Sequence, residues 1–333
     1  MSHFSYDTVN DAHAYIEQQV GIGDATFDVS AVTDAGRNDF DTPQKPNDDA
    51  FSIRVEGDVL QLAVFDGATS LLPIPELQGE SGARFASHIL RQEAERMPRL
   101  DDPYTTLSYL NAALFDSYRH FGSIRAPGFS GDETSFGAMN IQMLPSATVT
   151  LAQLNEATNE LHLGHVSDSW GAVLYDDGST EILTNNLHEK VDNEILGLIA
   201  KIAVEQGITP REACSDARIR ETLLVTAAGV RNCADHETEG IANGDPNMDR
   251  YIEQRTVSLN GVRAVLVATD GLVPPGMNER KPADRKRLLE IACSDGLEGL
   301  LHLVRTTEDH DPHRHLVRYK HGDDATGVLA IRR

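Results

Sequence analysis

The sequence predicts an α+β fold built from layers of antiparallel sheet and helix. Two observations indicate this class. Short apolar strand patterns separated by Asn, Asp and Gly turns occur in groups along the chain, and helical patterns also occur in groups. The regular strand–helix alternation that accompanies a parallel sheet is not found, so the strands are expected to pair antiparallel.

The N-terminal part begins with a stretch to about Val20 whose pattern predicts a short amphipathic helix. Residues 26–33 alternate apolar and polar side chains, as a half-buried strand does. Residues 36–49 are rich in turn formers and predict a polar loop. Two strands, AFSIRV and VLQLAVF, follow on either side of a turn at 56–58.

The middle of the chain predicts helices at 82–97 and 107–121, where apolar residues recur with helical spacing. A series of short β patterns then predicts an antiparallel meander, and residues 189–206 return to a helical pattern. The meander comprises TSFGAMNIQML, ATVTLAQLN, ELHLGHV, GAVLYD and STEILT.

The C-terminal part opens with a polar segment from about 207 to 250, rich in Gly, Asn and Asp, which predicts a long surface excursion. VSLNGVRAVLVAT then predicts strand structure, and helices follow around 283–307. ATGVLAI predicts the strand that closes the fold.

The charge balance is strongly acidic, with 29 Lys and Arg against 52 Asp and Glu and a formal charge of −23. Such a field repels nucleic acid and anionic membranes, although solubility alone also explains the excess. Three scattered cysteines fit a reducing compartment, and neither a secretion signal nor a membrane span is evident. We therefore expect a soluble, cytoplasmic monomer that binds neither nucleic acid nor membranes.

Acidic residues stand at the ends of four apolar strands. Asp48-Asp49 precede AFSIRV, Asp66 ends VLQLAVF, Asp270 ends VRAVLVAT, and Asp323-Asp324 precede ATGVLAI. A carboxylate at a strand end is held on a fixed scaffold yet opens into a cleft. Oxygen ligands of this kind suit hard cations such as Mg²⁺ or Mn²⁺.

A structural interpretation of these acids is also open, because Asp-Gly is a common turn sequence. Asp177-Gly178 predicts a hairpin turn and Asp295-Gly296 predicts the end of a helix. Taken singly, Asp66 or Asp270 has the same explanation. A further alternative treats the acids as salt-adapted surface residues of an unrelated α+β protein.

Five blocks in order resemble the metal-dependent serine/threonine protein phosphatases of type 2C: NDDAF, VFDG, HVSDSWGAVL, VATDG and DDATGVLAI. Their order and spacing agree with that family over residues 27–333. The resemblance implies a four-layer α/β/β/α sandwich of two antiparallel sheets flanked by helices, with two metal ions at one end. It also implies a single domain over 1–333, with an N-terminal extension at 1–25 and a flap at about 207–250.

The resemblance also implies the roles of individual residues. Asp66 would bridge two Mg²⁺ or Mn²⁺ ions, and the Gly67 carbonyl would bind one of them. Asp270 and Asp323 would bind one ion, and Asp49 would hold metal-bound water. Asp168 matches a residue that binds a third, weaker metal together with Asp270, although a strand-turn cap is its alternative role. A hydroxide between the ions would attack the phosphorus of a phosphoserine or phosphothreonine protein.

The sequence departs from the family at three places. Gln44 stands where the family has an arginine, so Lys45 or Arg37 would meet the phosphate instead. Ala68-Thr69-Ser70 replace a segment that often carries a histidine, and Ser167 and Trp170 replace a glycine and an arginine. A phosphatase for small-molecule phosphates and a non-catalytic binding protein are therefore the alternatives.

Two further features have simpler explanations. EDHDPHRH, with His310, His313 and His315, is a possible transition-metal site, but a solvated loop is the preferred interpretation. Trp170 is expected to lie in the core rather than to serve as a stacking platform.

Overall fold

A computed structural model describes residues 2–4, 13–37, 46–68, 72–100, 102–125, 139–140, 143–186, 188–233 and 240–333. The strands are β1 (Ser2–Phe4), β2 (His13–Ile22), β3 (Ala25–Asp34), β4 (Ala50–Glu56), β5 (Val59–Ala68), β6 (Ser146–Asn155), β7 (Glu160–Val166), β8 (Trp170–Tyr175), β9 (Thr180–Ile182), β10 (Glu253–Ser258), β11 (Val262–Ala268) and β12 (Ala325–Arg332). The α-helices are α1 (Gly82–Arg96), α2 (Pro103–Tyr118), α3 (Glu189–Gln206), α4 (Pro210–Ala213), α5 (Ala217–Val230), α6 (Pro282–Ser294) and α7 (Gly296–Asp309).

The strands form two six-stranded sheets, and the strand pairs are antiparallel. The first sheet has the order β1-β4-β5-β6-β7-β10, and the second has the order β2-β3-β12-β11-β8-β9. The second sheet joins strands from both ends of the chain, because β12 pairs with β3 and β11. The predicted antiparallel α+β class is confirmed.

Three apolar cores separate four layers. The central core lies between the two sheets and includes Leu62 and Val267. A second core, containing Leu90, packs α1 and α2 on the first sheet, and a third packs α6 and α7 on the second sheet. Each leucine-sized side chain buried in this way contributes roughly 1.5–3 kcal/mol. The layers therefore follow the expected α/β/β/α order, and Trp170 is fully buried in the third core, as predicted.

The predicted N-terminal helix is wrong over the described residues, because His13–Ile22 forms strand β2. Its backbone pairs along its whole length with β3. The buried residues Ala14, Val20 and Ile22 are separated by even numbers and so lie on one face of the strand. Hydrogen bonding to β3 therefore stabilises the extended conformation of residues 13–22, which the local sequence pattern does not specify.

The predicted polar excursion at 207–250 contains more regular structure than expected. Helices α4 and α5 occupy its first half, and a 3₁₀ turn covers Pro246–Tyr251. A capping box at Thr209 and Glu212 starts α4, and Ile219 and Met248 are buried. Polar residues here cap helices rather than mark a continuous loop.

Two smaller predictions concern the strands beyond α2. Most of the β pattern at 134–144 lies outside the described residues. VSLNGVRAVLVAT runs from the end of β10 into β11 rather than forming one strand, and these two strands belong to different sheets. The turn between them contains Gly261 at φ +70°, a left-handed conformation that glycine adopts without strain.

The predicted hairpin turn at Asp177-Gly178 and the predicted helix end at Asp295-Gly296 are both confirmed. Asp177 and Gly178 connect β8 to β9, and Gly178 has a φ of +78°. Asp295 ends α6, and Gly296, at φ +76°, reverses the chain into α7. Asp66 and Asp270 occupy different surroundings.

Candidate active site

Asp66, Asp168, Asp270 and Asp323 line one cavity of about 420 Å³. These residues lie at or next to the ends of β5, β8, β11 and β12. The cavity is bounded on its other sides by α3, α5 and the chain that follows α7. The fold thus brings together carboxylates that are up to 257 positions apart in the sequence, from 66 to 323.

Asp66 and Gly67 belong to the last part of β5, where they pair with Thr148 and Ala147 of β6. A Cβ atom on Gly67 would lie 2.5 Å from the Asp48 carbonyl oxygen and 2.7 Å from that of Ala83. Both contacts are with backbone, so no side-chain rotation relieves them. Gly67 therefore lets the loop before β4 and the start of α1 close against the carboxylate of the neighbouring residue.

Asp270 opens a 3₁₀ turn directly after β11. The adjacent Gly271 packs against the backbone before β12, where an added Cβ would overlap the Asp324 carbonyl oxygen. This close approach places Asp270 beside Asp323.

The two acids before β12 have different surroundings. Asp324 is buried, and its carboxylate accepts hydrogen bonds from the backbone N–H groups of Gly36 and Asp48 (the latter at 3.0 Å). It therefore ties together two loops near the site. Asp323 instead lines the cavity, consistent with the choice of Asp323 over Asp324 as the cation ligand.

Asp49 is only 2% exposed and is fixed by a buried polar network between the sheets. Its Oδ2 accepts a hydrogen bond of 2.9 Å from Thr269 Oγ1, which also accepts from the Thr326 backbone N–H. Thr326 Oγ1 lies 2.6 Å from Thr33 Oγ1, which accepts from Asn47. The orientation of the Asp49 carboxylate is thereby set before any ligand binds.

Asp168 is approached through a strained backbone. Ser167 has a φ of +81°, a left-handed conformation that is costly for a residue with a Cβ. Among the described residues, no hydrogen-bond partner reaches the buried Asp168 Oδ1 atom or the Ser167 hydroxyl. A buried carboxylate oxygen without a donor is suited to bind a cation.

The acids interact electrostatically. Burial raises the pKa of Asp66 well above its ordinary value, and the charges of Asp49, Asp270, Asp168 and Asp323 raise it further. Partial desolvation by the cleft also raises the pKa of Asp270, which stays exposed to the cavity, with added contributions from the charges of Asp323 and Asp168. The charges that act on Asp66 and Asp270 therefore come from carboxylates in one region, and a positive charge there would stabilise the ionised forms of Asp66 and Asp270.

Lys320 is a site residue that the sequence did not reveal. Its Nζ atom lies 2.6 Å from Asp323 Oδ1, and its side chain lines the same cavity. Burial lowers the pKa of Lys320, but the charges of Asp323, Asp66 and Asp324 outweigh that effect and raise it above its usual range. No pattern in the sequence around Lys320 distinguishes it from a surface lysine.

Two arginines also line the cavity, Arg231 and Arg318. Arg318 is held by Asp311, at 2.8 Å, and by several backbone carbonyls. The loop of the EDHDPHRH stretch is thus organised by an ion pair, with His313 and His315 exposed as expected for a solvated loop. Arg231, at the end of α5, was not identified from the sequence.

The predicted phosphate ligands lie elsewhere or outside the described residues. Arg37 Nη1 contacts both carboxylate oxygens of Asp309, at 2.7 and 2.8 Å, and Arg37 does not line the cavity. Gln44, Lys45 and Thr69-Ser70 lie outside the described residues. A role for Arg37 or Lys45 in substrate binding stays a prediction.

The described acidic residues of the cavity suit divalent cations by the type of their donor atoms, whereas their side chains are not arranged as a complete coordination site. All the acidic donors are hard oxygens, Asp168 Oδ1 lacks a described donor, and Gly67 admits close backbone approach. Within the described part of the chain, however, no three His, Cys, Asp or Glu side chains are arranged as a ready-made metal site. Within this cluster, Lys320 already contacts one of the acids, Asp323.

The chain belongs to the protein phosphatase 2C family, whose pattern it matches over residues 42–313. No curated protein matches the sequence significantly.

Solved structures of bacterial phosphatases share the fold. Serine/threonine phosphatase Stp1 from Staphylococcus aureus is 17% identical, with a TM-score of 0.52, over 91% of this chain and 94% of its own. A bacterial serine phosphatase is 18% identical, with a TM-score of 0.51, over 91% and 96%. The S. agalactiae serine/threonine phosphatase is 15% identical, with a TM-score of 0.50, over 92% and 99%. At these identities the similarity establishes the four-layer fold and not the reaction.

Proposed function

We propose that the protein is a metal-dependent phosphomonoester hydrolase that removes phosphate from phosphoserine and phosphothreonine in proteins. One observation carries the proposal: Asp66, Asp168, Asp270 and Asp323 line one cavity at one end of the sandwich, and the charge of Asp49 acts on Asp66 there. Mutual repulsion makes such a cluster unfavourable, and bound cations would offset that repulsion.

The metal ligands we propose are Asp66, the Gly67 carbonyl, Asp270 and Asp323 for two Mg²⁺ or Mn²⁺ ions, with Asp168 for a third. When bound, the ions supply water acidification and neutralisation of phosphoryl charge. Asp49, held by Thr269, is a fixed acceptor that orients the attacking water. These roles agree with the donor set, and side-chain rotation is needed to complete the coordination.

Positioning of the phosphate is the other task of the chain, since phosphoryl transfer depends on orientation and charge more than on a covalent nucleophile. Arg231 and Lys320 line the same cavity as the acids and provide cationic groups there. We propose that Arg231 binds the phosphate, a role that Gln44 is not able to perform. Its planar guanidinium contacts two phosphate oxygens at once, which a lysine does not.

The test is hydrolysis of p-nitrophenyl phosphate and of phosphopeptides with and without Mn²⁺. The wild-type protein should turn over both with metal and neither without it, and Asp66→Asn should lose activity by at least about 100-fold. Asp177→Asn is the matched control. It changes an acid in the β8–β9 hairpin that does not line the cavity, so this variant should retain full activity. Equal activity in Asp66→Asn and wild type would overturn the proposal.

A second candidate is a non-catalytic member that binds phosphoproteins. The Lys320–Asp323 ion pair favours it, because an ammonium already occupies part of the acidic cluster. Calorimetry with Mn²⁺ separates the two candidates, since heat of binding supports the enzyme and its absence supports the binding protein.

The cellular setting is also a proposal. Over the parts of the chain that the structure describes, none of the helices combines the length and apolar character needed to cross a bilayer. We propose a monomer that acts in the cytoplasm on protein substrates, and size-exclusion chromatography tests the monomer directly.

A further inference from the structure

The cavity beside the acidic cluster extends well beyond the carboxylates. Its volume of about 420 Å³ falls in the range of sites that enclose a ligand of several groups, roughly 300–1,000 Å³. Besides the acids and Lys320, its lining includes charged side chains such as Asp192 and Arg318 and a set of six aliphatic side chains. We call these aliphatic residues the apolar arm: Val191, Ile195, Leu196, Leu223, Leu316 and Val317.

The apolar arm has two walls that pack on each other. Val191 and Ile195 are four residues apart and so share one face of α3. Val317, from the chain after α7, packs against the apolar cluster of α3 and α5 that contains Ile195. The Arg318–Asp311 ion pair holds this chain in place. The arm is therefore a fixed feature of the fold rather than a gap between independent loops.

The apolar arm lines the same cavity as the acids, and this shared cavity determines its occupant. A protein chain whose phosphorylated side chain reaches the acids places the neighbouring residue only about 3.3–3.6 Å further along its backbone. An aliphatic wall favours an aliphatic side chain, because contact between the two removes apolar surface from water. Acidic neighbours are also opposed by the net charge of −23.

We propose that the apolar arm binds a large aliphatic side chain adjacent to the phosphorylated serine or threonine of the substrate. The inference rests on the proposed phosphatase function and specifies its substrate class. Leu316 contributes the outer part of the arm and is 42% exposed, so its side chain is available to contact a substrate without repacking the core. Selection occurs through burial of the substrate's aliphatic group against α3 and the chain after α7.

The test compares phosphoserine peptides that carry Leu, Ala, Lys or Glu on either side of the phosphorylated residue. With Mn²⁺ present, kcat/KM for the best Leu peptide should exceed that for its Ala counterpart by about tenfold. Leu316→Ala should reduce this Leu-to-Ala ratio toward one. Val204→Ala, which removes an 84% exposed side chain from the same helix as Ile195, should leave the ratio unchanged.

Two further measurements separate failure of this inference from failure of the proposed function. If wild type hydrolyses p-nitrophenyl phosphate but shows a Leu-to-Ala ratio near one, the apolar arm does not select substrate and the phosphatase function stands. If nothing is hydrolysed, the same peptides are given a fluorescent label and their binding is measured by fluorescence anisotropy. Tighter binding of the Leu peptide than of the Ala peptide, lost in Leu316→Ala, supports the arm. Equal binding of the two peptides overturns it.

Discussion

Lys320 is the residue whose replacement most directly probes the balance of charge at the site. Its ammonium contacts Asp323 at 2.6 Å and interacts with the charges of Asp66 and Asp324. A cation that binds Asp323 Oδ1 competes with this ammonium. Lys320→Met removes the charge and keeps an unbranched side chain of similar length, so the change tests competition rather than packing.

The size of the effect follows from the exposure of the pair. The side chains of Lys320 and Asp323 are 36% and 34% exposed, so solvent screens their attraction and the pair is worth up to about 1 kcal/mol. That free energy corresponds to about a fivefold change in a dissociation constant. We expect Lys320→Met to bind Mn²⁺ about fivefold more tightly. Without metal it should unfold at a temperature lower by about 2 °C, because the acids lose a counter-charge.

Isothermal titration with Mn²⁺ measures the affinity, and thermal unfolding with and without EDTA measures the stability. Lys286→Met is the matched control, since its ammonium lies 3.8 Å from Glu290 in an exposed pair on α6. This control should leave Mn²⁺ affinity unchanged. Equal or weaker Mn²⁺ binding by Lys320→Met would refute competition between the ammonium and the cation.

Three other predictions concern stability. Gly67→Ala should destabilise the protein by roughly 1–3 kcal/mol in urea titration, because its Cβ meets backbone at 2.5 Å, and an unchanged midpoint would contradict that packing. Ser167→Gly should stabilise it by about 1 kcal/mol, because glycine tolerates a φ of +81° and an unbonded buried hydroxyl is removed; a lower midpoint would contradict this. Burial, with the charges of Arg84 and Arg91, lowers the pKa of His88 to about 3, so the unfolded chain binds the extra proton below pH 6.5. Stability from this group should therefore fall by about 2 kcal/mol between pH 7 and pH 5, and His88→Gln, but not the exposed His302→Gln, should lose that dependence.

The elements that the sequence predicted best are those with strong local patterns. Strands β4, β5 and β12 alternate or bury apolar side chains, and Asp-Gly or Asp-Asp marks their ends. Their convergence, in contrast, depends on pairing between distant segments, such as β12 with β3. The resemblance to a known family supplied that information, which periodicity does not contain.

The residues that the sequence missed depend on tertiary contacts. Strand β2 is specified by its pairing with β3, and its local pattern alone predicts a helix. Lys320 and Arg231 have no distinguishing neighbours in the sequence, and only the packing of the chain after α7 and the end of α5 brings them to the cavity. Arg37 is the opposite case, a residue predicted at the site that the structure places elsewhere. Its ion pair with Asp309, 272 positions further along the chain, has no signal in the local sequence.

The central claim is that the strand-end carboxylates form one cation site. Anomalous diffraction from crystals soaked in Mn²⁺ tests it most directly. We predict manganese peaks within bonding distance of the Asp66 carboxylate, with Asp270 and Asp323 also coordinating, and loss of those peaks in Asp66→Asn. Peaks confined to other parts of the surface, with Asp66 uncoordinated at saturating Mn²⁺, would contradict the account.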